Sequence, residues 1–580
     1  MPHITLTDFA KTYGPLISLK LGTQQLVVAS SPAAAMEILK TKYRILSSRS
    51  VPHTVASTRS QLNQSSIAWI EECHDNWKKL RTICKTELLS NKAMDSQAAL
   101  REKSITSLVS FVRDKEGPTP WPILGNIPQM VSSMPHITLT DFAKTYGPLM
   151  SLKLGTQRLV VASSPDAARE ILKTKDRILS GRYVPQSMPY TKSELNQSSL
   201  GWTEECNDNW KYLRVICKTG LFSNKAMDSQ EILREKHISS LVNFLRGKEG
   251  EVMKISELVF TTVFNILGNA LMSRDFIGLE EKNEDGGLKC VIWEAMKVAA
   301  APNLADFYPI LSTLDLQGLR QKTSGFAQRM HAVWRPTIEE RRTRMGDFCS
   351  HNDFLDTLLG KDFTNKQINQ LFTELFSAGT DTTTATIEWT MAEIMKNQEC
   401  MEKLRAEIES EIKEDFPKNV HLMELPYLQA CIKETLRLHP PAPFLLPHRA
   451  IETCRVMNYT VPKNARVLVN IWAIGRDPST WEEPFKFKPE RFLNSNIDYK
   501  GNDFEFLPFS AGRRICPGLP MAAKSVPMIL VSLIHFFDWS IPGGNDPSEL
   551  NMKEKFGITM QMEHPLSLIF KARNDYKCAK

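Results

Sequence analysis

A cysteine near the C-terminal end, Cys516, lies in a sequence that suits a reactive sulfur. It belongs to the stretch FSAGRRICPG, which runs from Phe509 to Gly518 and precedes an apolar, helix-like run. Gly512 and Gly518 have no Cβ, so the backbone there can turn tightly and approach a flat ligand closely. Pro517 suits the first turn of the following helix. The positive end of that helix and backbone N–H groups aimed at the sulfur favour a thiolate over a thiol.

The spacing around Cys516 is more specific than a lone cysteine would be. An isolated cysteine is usually a small buried side chain. Here the pattern Phe-x-x-Gly-x-Arg-x-Cys-x-Gly is matched at every fixed position, and Arg514 supplies a cation beside the sulfur. A thiolate in such a loop is the proximal ligand that a haem iron needs when the task is cleavage of an O–O bond.

A second candidate site interrupts a long predicted helix. The helix is predicted to begin at Thr364, because Thr364 and Gln367 have the spacing of a capping box. In its middle stands AGTDTTT, from Ala378 to Thr384. A glycine in a helix interior costs up to about 1 kcal/mol, so a helix that tolerates this sequence indicates a functional or strained site. The alternative is a threonine-rich buried helix face.

Two further pairs of residues have helical spacing elsewhere in the chain. Trp210 and Arg214 are one turn apart, and Glu434 and Arg437 are three residues apart, so each pair shares a helix face. Taken alone, each pair would be read as ordinary: a core tryptophan with a solvated arginine, and a solvated ion pair. Arg491, in the downstream sequence PERF, could complete a Glu–Arg–Arg cluster.

In their order along the chain, these motifs resemble those of the cytochrome P-450 superfamily. The resemblance covers residues 118–580 and implies a mainly helical fold with small β-sheets around a single haem b. It implies that Cys516 is the axial thiolate ligand of the iron. It also implies activation of dioxygen, with electrons that come from NADPH only through a partner NADPH–cytochrome P-450 reductase. The loop residues that the resemblance assigns to cofactor binding are Phe509, Gly512, Arg514, Cys516 and Gly518.

Further roles follow from the resemblance alone. Trp210 and Arg214 would contact one haem propionate, and His448 would contact the other, with Arg449 as the alternative. Ala378 and Gly379 would leave a groove for dioxygen over the iron. Asp381 and Thr382 would form an acid–alcohol pair that delivers protons. The structural cluster would be Glu434, Arg437 and Arg491.

The resemblance also indicates a substrate class. Phrases such as WAIGRDPSTWEEP resemble plant members that act on benzylisoquinoline alkaloids such as N-methylcoclaurine, by hydroxylation or by phenol coupling. Hydroxylases of terpenoid alcohols or flavonoids are the alternative. Glu374 could pair with a substrate amine or be a hydrogen-bonded structural residue. Residues predicted to line the pocket, partly as a strand after the prolines, are Ala442, Phe444, Leu445 and Leu446, with Ile558 in a returning hairpin.

Composition and charge limit the partners and the location. The net charge of +7 is mild for 580 residues, and it favours a basic patch facing an acidic partner over nucleic-acid binding. Lys211, Arg513 and Lys524 are candidates for that patch, or ordinary solvated charges. The eleven cysteines include no CxxC pair, which indicates a reduced compartment. The resemblance implies the cytosolic face of the endoplasmic reticulum. Neither a signal peptide nor a transmembrane run of about 18 apolar residues is predicted, so a cytosolic location is the alternative.

Residues 1–117 and 134–250 are two copies of one segment. They align without a gap, and roughly three-quarters of the paired positions are identical. The unit exceeds the 20–50 residues of solenoid repeats, so it is a duplicated part of a domain. Residues 134–580 are predicted to form the monooxygenase domain, preceded by a stiff, extended, proline-rich hinge at 118–133. The first copy is predicted to be a loosely folded fragment. For the whole chain, a non-catalytic product of a recombined gene is the alternative to an enzyme.

Overall fold

The computed structural model describes residues 2–50, 66–69, 73–90, 93, 117–132, 134–280, 287–344, 353–413, 416–544 and 546–573. Two units make up the chain, Met1–Asp114 and Lys115–Lys580. Of the first copy, which is predicted to be loosely folded, the structure describes residues 2–50, 66–69, 73–90, 93 and 117, and the prediction stays untested.

The described part of the first unit contains short helices and an antiparallel hairpin. Its elements are α1 (Pro2–Tyr13), β1 (Leu16–Leu21), β2 (Gln24–Ala29), α2 (Pro32–Met36), α3 (Tyr43–Leu46) and α4 (Asp75–Ile83). The hairpin places Leu16 opposite Ala29. The second copy repeats these elements in the same order, which is expected from the similarity of the two sequences.

The second unit is mainly helical, as predicted. Its helices are α5 (Pro135–Tyr146), α6 (Pro165–Arg169), α7 (Asp176–Leu179), α8 (Lys192–Ser198), α9 (Asp208–Cys217), α10 (Asn224–Ser229), α11 (Glu231–Arg246), α12 (Ile255–Met272), α13 (Leu288–Ala300), α14 (Leu304–Phe307), α15 (Leu319–Thr343), α16 (Phe354–Leu359), α17 (Asn365–Lys396), α18 (Gln398–Glu411), α19 (Pro426–Leu438), α20 (Ile471–Ile474) and α21 (Leu519–Phe536). Short π and 3-10 turns extend or join them at Glu37–Thr41, Cys84–Leu88, Pro128–Met130, Glu170–Thr174, Lys218–Phe222, Pro309–Leu311, His421–Met423, Pro489–Phe492, Gly512–Arg514, Pro542–Gly544 and Pro547–Glu549.

Small sheets flank the helices. The strands are β3 (Leu149–Leu154), β4 (Gln157–Ala162), β5 (Gly181–Arg182), β6 (Val252–Lys254), β7 (His448–Arg449), β8 (Cys454–Val456), β9 (Tyr459–Val461), β10 (Arg466–Val469), β11 (Phe537–Ser540), β12 (Glu554–Lys555), β13 (Gln561–Met562) and β14 (Ser567–Ala572). A five-stranded sheet has the order β3-β4-β10-β7-β5, in which β10 runs parallel to β4 and the other pairs are antiparallel. The remaining pairings are β11-β14-β6, β8-β9 and β12-β13.

The long helix α17 runs through the core and carries the AGTDTTT sequence. Its start is the predicted capping box, since Thr364 and Gln367 exchange side-chain and backbone hydrogen bonds. Phe376 on α17 stacks on Phe264 of α12, with ring centroids 4.5 Å apart. Among the described helices, α12 and α21 are long and apolar enough to cross a membrane, but most of their residues are buried inside the unit. Their length and apolar composition are also those of buried core helices.

The segment predicted as an extended hinge is instead a folded turn. Trp121 and Gly125 exchange backbone hydrogen bonds, at 2.8 and 2.9 Å. The Asn126 side chain accepts from the Lys153 N–H at 2.7 Å and donates to the Pro118 carbonyl at 2.8 Å. The turn is therefore attached to strand β3. The prolines stiffen the chain but do not keep it extended, because Gly125 takes a left-handed φ of 65° that reverses it.

The same apolar sequence has opposite burial in the two copies. Leu159 and Val160 in β4 are 2% and 0% exposed, because β4 pairs with β10 inside the large sheet. Their equivalents in β2, Leu26 and Val27, are 37% and 56% exposed. The first unit therefore leaves uncovered the surface that the second copy buries against residues from the C-terminal half of the chain.

Candidate active site

The Cys516 loop precedes α21, as predicted. The Cys516 N–H donates to the Phe509 carbonyl at 2.9 Å, which closes the loop. The N–H groups of Gly518 and Leu519 donate to the sulfur, and Arg214 lies near it. Burial nevertheless raises the pKa of the Cys516 thiol, against the lowering effect of these groups. The two N–H groups and Arg214 thus act in the predicted direction, against the effect of burial, and a coordinated metal ion would deprotonate the sulfur.

The two loop glycines have different surroundings. Gly512 has a φ of 65°, and a Cβ there would overlap the carbonyl oxygen of Leu172. Its close approach is to the protein backbone and not to a flat ligand, which corrects the prediction. Gly518 lies beside the sulfur, where a Cβ would be 3.8 Å from Cys516 Sγ.

A cavity of about 410 Å³ lies between the Cys516 loop and α17. Phe509 and Cys516 line one wall, and Ala378 and Thr382 line another. Further walls include predicted pocket residues: Glu374, Ala442, Leu445, Leu446 and Ile558. The cavity thus brings the two motifs with unusual sequences to one place.

The proline-rich wall differs from the prediction in two ways. Residues 442–447 form irregular turns, and strand β7 begins only at His448. Leu445 has a φ of 56°, which a regular strand does not allow. Phe444 is outside the lining and packs on Phe556, with ring centroids 5.7 Å apart. Alternating prolines prevent the strand that would have turned Phe444 towards the cavity.

The centre of α17 places its predicted residues on different faces. The Thr382 hydroxyl donates to the Ala378 carbonyl at 2.6 Å, and both residues face the cavity. Gly379 is turned away, since a Cβ there would lie 2.9 Å from Leu267 of α12. Gly379 therefore permits close helix packing, which corrects the prediction of a dioxygen groove at this residue. Successive helical positions are about 100° apart, so Ala378 and Gly379 cannot share one face.

Asp381 lies behind the cavity wall. It is 2% exposed, and its Oδ1 accepts from Gln561 Nε2 at 2.9 Å. Burial raises the pKa of Asp381, and the side chains of Thr559 and Gln561 oppose that rise. Thr559 also lines the cavity. The sequence analysis missed Thr559 and Gln561. Thr559 directly follows Ile558 in the predicted returning hairpin, whose strands are β12 and β13.

Three arginines border the cavity: Arg182, Arg214 and Arg514. Arg514 donates to the carbonyls of Ser180, Leu200 and Thr203, at 3.0, 3.2 and 2.7 Å. Arg182 was missed by the sequence analysis, because a single arginine in the sequence SGRYVP carries no spacing signal. It is 4% exposed and donates to carbonyls on both sides of the cavity.

Trp210 lies between two of these arginines. The guanidinium carbons of Arg214 and Arg514 are 5.4 and 4.8 Å from the indole centroid. Trp210 Nε1 donates to the Leu200 carbonyl at 2.9 Å. The predicted Trp210–Arg214 pair is thus brought together, with Arg214 on the cavity and Trp210 behind it.

His448 carries a buried nitrogen without a partner in the described part of the chain. Its Nδ1 is 2.7 Å from the Leu179 carbonyl, which makes Nδ1 the protonated nitrogen, while Nε2 contacts no polar group. Burial and the nearby Arg182 and Arg514 lower the pKa of His448 well below its usual value. Arg449, the alternative, is outside the lining and donates to Asn464 Oδ1 at 2.9 Å.

Glu374 is held by the protein. It accepts hydrogen bonds from the Ser199 hydroxyl at 3.2 Å, from the Leu200 N–H at 3.0 Å and from the Gly201 N–H. These hydrogen bonds hold the carboxylate against the turn after α8. Of the two alternatives, the geometry favours the structural one.

Glu434, Arg437 and Arg491 form the predicted cluster. Both Glu434 oxygens accept from Arg437, at 2.7 and 2.8 Å, and Oε1 also accepts from Arg491 Nε at 2.9 Å. Glu434 and Arg437 are 0% and 1% exposed. Arg437 further donates to the carbonyls of Gly475 and Pro484, so the cluster ties α19 to the segment before the Cys516 loop.

Replacing Glu434 with glutamine should lower the free energy of unfolding by about 3–5 kcal/mol, because two guanidinium groups would remain in the cluster without a counter-charge. Urea titration of the holoprotein measures this loss. Glu399→Gln is the matched control, since Glu399 pairs with Lys403 at the surface and is 79% exposed. Equal loss in both variants would contradict the structural role of the cluster.

Comparisons with known proteins agree with this geometry. A family model described as cytochrome P-450 matches residues 1–117 and 115–569. The chain belongs to the cytochrome P-450 family. It is therefore a haem-thiolate monooxygenase that takes electrons from a redox partner and acts on a small molecule. The separate match of residues 1–117 shows that the first copy is also a piece of this family's fold.

Plant members of the family are similar over most of their length. The chain is 50% identical over 460 residues to a probable (S)-N-methylcoclaurine 3'-hydroxylase isozyme 2 of Coptis japonica, which covers 79% of this chain and 93% of the relative. It is 46% identical to corytuberine synthase of the same plant, with 79% and 94% covered. Berbamunine synthase of Berberis stolonifera is 39% identical, with 79% and 93% covered.

The residues around the cavity fit the haem that this family binds. Haem carries two propionates, and the cavity offers three arginines. His448 lies outside the cavity lining, near Arg182 and Arg514. Cys516 also lines the cavity, and its sulfur has the N–H groups of Gly518 and Leu519 and the Arg214 side chain nearby. A thiol and cationic side chains around one cavity are features that a haem-thiolate site requires.

Proposed function

We propose that this monooxygenase oxidises a benzylisoquinoline alkaloid such as N-methylcoclaurine, by hydroxylation or by phenol coupling. The support is the similarity to an N-methylcoclaurine 3'-hydroxylase, a corytuberine synthase and a berbamunine synthase of plants, at 39–50% identity over 460–462 residues. The cavity, formed largely by apolar side chains, suits an aromatic substrate.

The experiment that tests this proposal is a spectral binding titration followed by product analysis. N-methylcoclaurine, a terpenoid alcohol and a flavonoid are added separately to the holoprotein, and the Soret shift is recorded. With reductase and NADPH, a gain of one oxygen identifies hydroxylation, and a loss of two hydrogens identifies coupling. Binding and turnover of only the terpenoid alcohol or the flavonoid would overturn the alkaloid proposal and support the other hydroxylase class.

The proposed cofactor site assigns a role to each side of the cavity. Cys516 would be the axial ligand, and Arg182, Arg214, Arg514 and His448 would hold the propionates. Bound haem supplies dioxygen activation. His448 must gain a proton at Nε2 before it can donate to a carboxylate, and a neighbouring anion favours that protonation.

Proton delivery is proposed for Thr382 with Asp381 behind it. Thr382 and Thr383 are the hydroxyl residues of AGTDTTT that line the cavity, and Asp381 is a buried acid directly before Thr382. Thr559 lies near Asp381 and lines the cavity, so it offers a second hydroxyl between the acid and the substrate.

Thr382→Val should reduce product formation about a hundredfold, because a positioned proton donor contributes 10²–10⁴-fold. Substrate binding, measured by the Soret shift, should change little, and NADPH consumption should continue without product. Thr390→Val is the matched control, since the Thr390 hydroxyl donates to the Thr386 carbonyl within the same helix and lies outside the cavity lining. Unchanged product yield in Thr382→Val would remove Thr382 from the proposed relay.

For the electron donor we propose NADPH–cytochrome P-450 reductase, docking on the Cys516 side. Arg513 and Lys211 are exposed, but each has a carboxylate partner: Asp176 at 3.0 Å and Asp208 at 2.8 Å. A reductase carboxylate would compete with these weak surface pairs. Binding that weakens steeply with added salt would support the docking proposal.

Attachment to the endoplasmic reticulum is also a proposal. The Tyr308 hydroxyl donates to the Ile123 carbonyl at 3.2 Å, which joins the turn after residue 117 to the region of α14. Exposed apolar side chains collect there: Trp121, Ile123, Val131, Ile310, Leu314 and Leu316. Such a patch suits a membrane surface. Co-sedimentation of the full chain with phospholipid vesicles tests it, and a protein that stays in the supernatant would contradict it.

A further inference from the structure

The turn after α8, residues 199–203, lies between α17 and two of the arginines that border the cavity. The Gly201 carbonyl accepts a hydrogen bond from Arg182 Nε at 3.1 Å. The Leu200 carbonyl accepts one from Arg514 at 3.2 Å. The carbonyl groups of this turn therefore hold both guanidinium groups in place.

The N–H groups of the same turn face Glu374. The carboxylate accepts from the Ser199 hydroxyl at 3.2 Å, from the Leu200 N–H at 3.0 Å and from the Gly201 N–H. The Trp202 N–H donates to Ser199 Oγ at 2.8 Å, so the hydroxyl proton of Ser199 is left for Glu374. Because each of these partners donates, the geometry suits an ionised carboxylate, which can only accept.

Arg182, Arg214 and Arg514 bring three positive charges to the cavity. In the described part of the chain their hydrogen bonds go to backbone carbonyls, which carry no net charge. Burial lowers the pKa of all three arginines. Arg514 lowers the pKa of Arg182 further, and Arg214 does the same to Arg514. The three charges thus destabilise one another, and a nearby anion would offset that repulsion.

Glu374 is close enough to act as that anion. Burial raises the pKa of Glu374, whereas its hydrogen-bond donors and Arg514 lower it. The Glu374 charge in turn raises the pKa of Arg182 and of Arg514, against the effect of burial. The Cys206 thiol also lies near both arginines, but a thiol is neutral while it keeps its proton.

Bound haem adds two propionates to this group of charges. Two propionates do not offset three arginines, and a protonated His448 would increase the excess of positive charge. An ionised Glu374 reduces that excess from the side of α17. A negative charge near the iron also disfavours the gain of an electron, so it lowers the reduction potential of the haem.

We propose that Glu374 is a positioning residue of the haem site, which holds the arginines through the turn after α8 and supplies a negative charge that lowers the reduction potential of the bound haem. The inference rests on the proposed placement of the propionates and is independent of the substrate class. A residue with a packing role alone would change stability, but it would not change the potential according to its charge.

The test is the reduction potential of the substrate-free holoprotein, measured by titration with dithionite and mediator dyes and followed at the Soret band. Glu374→Gln keeps the size of the side chain and removes its charge. It should favour the reduced haem about tenfold, which is a rise of about 59 mV for one electron. Glu374→Asp keeps the charge and should stay near the potential of the wild type, even if the shorter side chain lowers stability.

Two controls locate the charge. Glu388→Gln neutralises another buried acid of α17, which accepts from the Leu566 N–H at 2.9 Å and lies outside the cavity lining. It should leave the potential unchanged. Cys206→Ser should also leave it unchanged. A rise in Cys206→Ser with none in Glu374→Gln would assign the charge to the thiol and overturn the proposal.

Arg182→Gln separates the role of Glu374 from the placement of the propionates. Loss of a positive charge should lower the potential, and the double variant Arg182→Gln with Glu374→Gln should return close to the wild type. The double variant also decides the matter if Glu374→Gln alone does not retain haem. A lower potential in Arg182→Gln that Glu374→Gln does not raise again overturns the role of Glu374 and leaves the arginine site standing. Unchanged potentials in all these variants would overturn the placement of the propionates together with this proposal.

Discussion

Cys516→Ser is expected to fold and yet to lose the red-shifted Soret band that the reduced carbon-monoxide complex of a thiolate-ligated haem gives. Serine is nearly the same size as cysteine, and the Cys516 N–H would still close the loop on Phe509. A hydroxyl does not replace a thiolate as a strong electron donor to iron. Monooxygenase activity should fall below detection, because the axial thiolate is what directs bound haem towards O–O cleavage.

The control for Cys516→Ser is Cys454→Ser, which alters a half-buried cysteine of β8 away from the cavity. It should keep both the band and the activity. Far-ultraviolet circular dichroism of both variants checks that the fold is retained. A red-shifted band in Cys516→Ser would mean that another cysteine ligates the iron, and the assignment of the loop would be wrong.

The sequence predicts best those features that depend on local rules or on spacing within one helix. The Thr364–Gln367 capping box is formed, since its members are three residues apart. Glu434 and Arg437 also meet as predicted, and Arg491 joins them from a distance. That third member was predictable only because PERF resembles a family sequence. The cavity itself follows from α17 and the Cys516 loop, which the two unusual motifs mark.

The sequence does not predict well which residues of a distant element lie next to a side chain or a glycine. Gly379 and Gly512 were predicted to make room for the cofactor or dioxygen, and the structure places Leu267 and the Leu172 carbonyl there. A glycine shows that something comes close, but the neighbour belongs to a distant part of the chain. Arg182 was missed for the same reason, since its partners come from residues 201 and 446.

Three of the differences between the two copies fall where the structure has no room for a side chain. Gly181, Gly201 and Gly220 of the second copy correspond to Ser48, Ala68 and Glu87 of the first. A Cβ on Gly181 would lie 2.6 Å from the Arg449 carbonyl oxygen, and one on Gly201 would lie 2.5 Å from Glu374 Oε1. A Cβ on Gly220 would lie 2.8 Å from the Phe354 ring. The first copy is thus a poor substitute for the second in the catalytic core.

A chimera in which the first-copy sequence replaces residues 134–250 should therefore fail to bind haem. Each added side chain should cost about 1–3 kcal/mol by overpacking, and the three together approach the 5–15 kcal/mol by which a domain is stable. Restoring only the three glycines in that chimera should recover haem binding in part, measured as the reduced carbon-monoxide band per mole of protein.

The same reasoning makes residues 1–117 dispensable for the catalytic unit. A chain of residues 118–580 should give the same band per mole of protein as the full chain, because the large sheet takes its strands from residues 149–182 and 448–469. A chimera that binds haem fully without the restored glycines would show that either copy can complete the core.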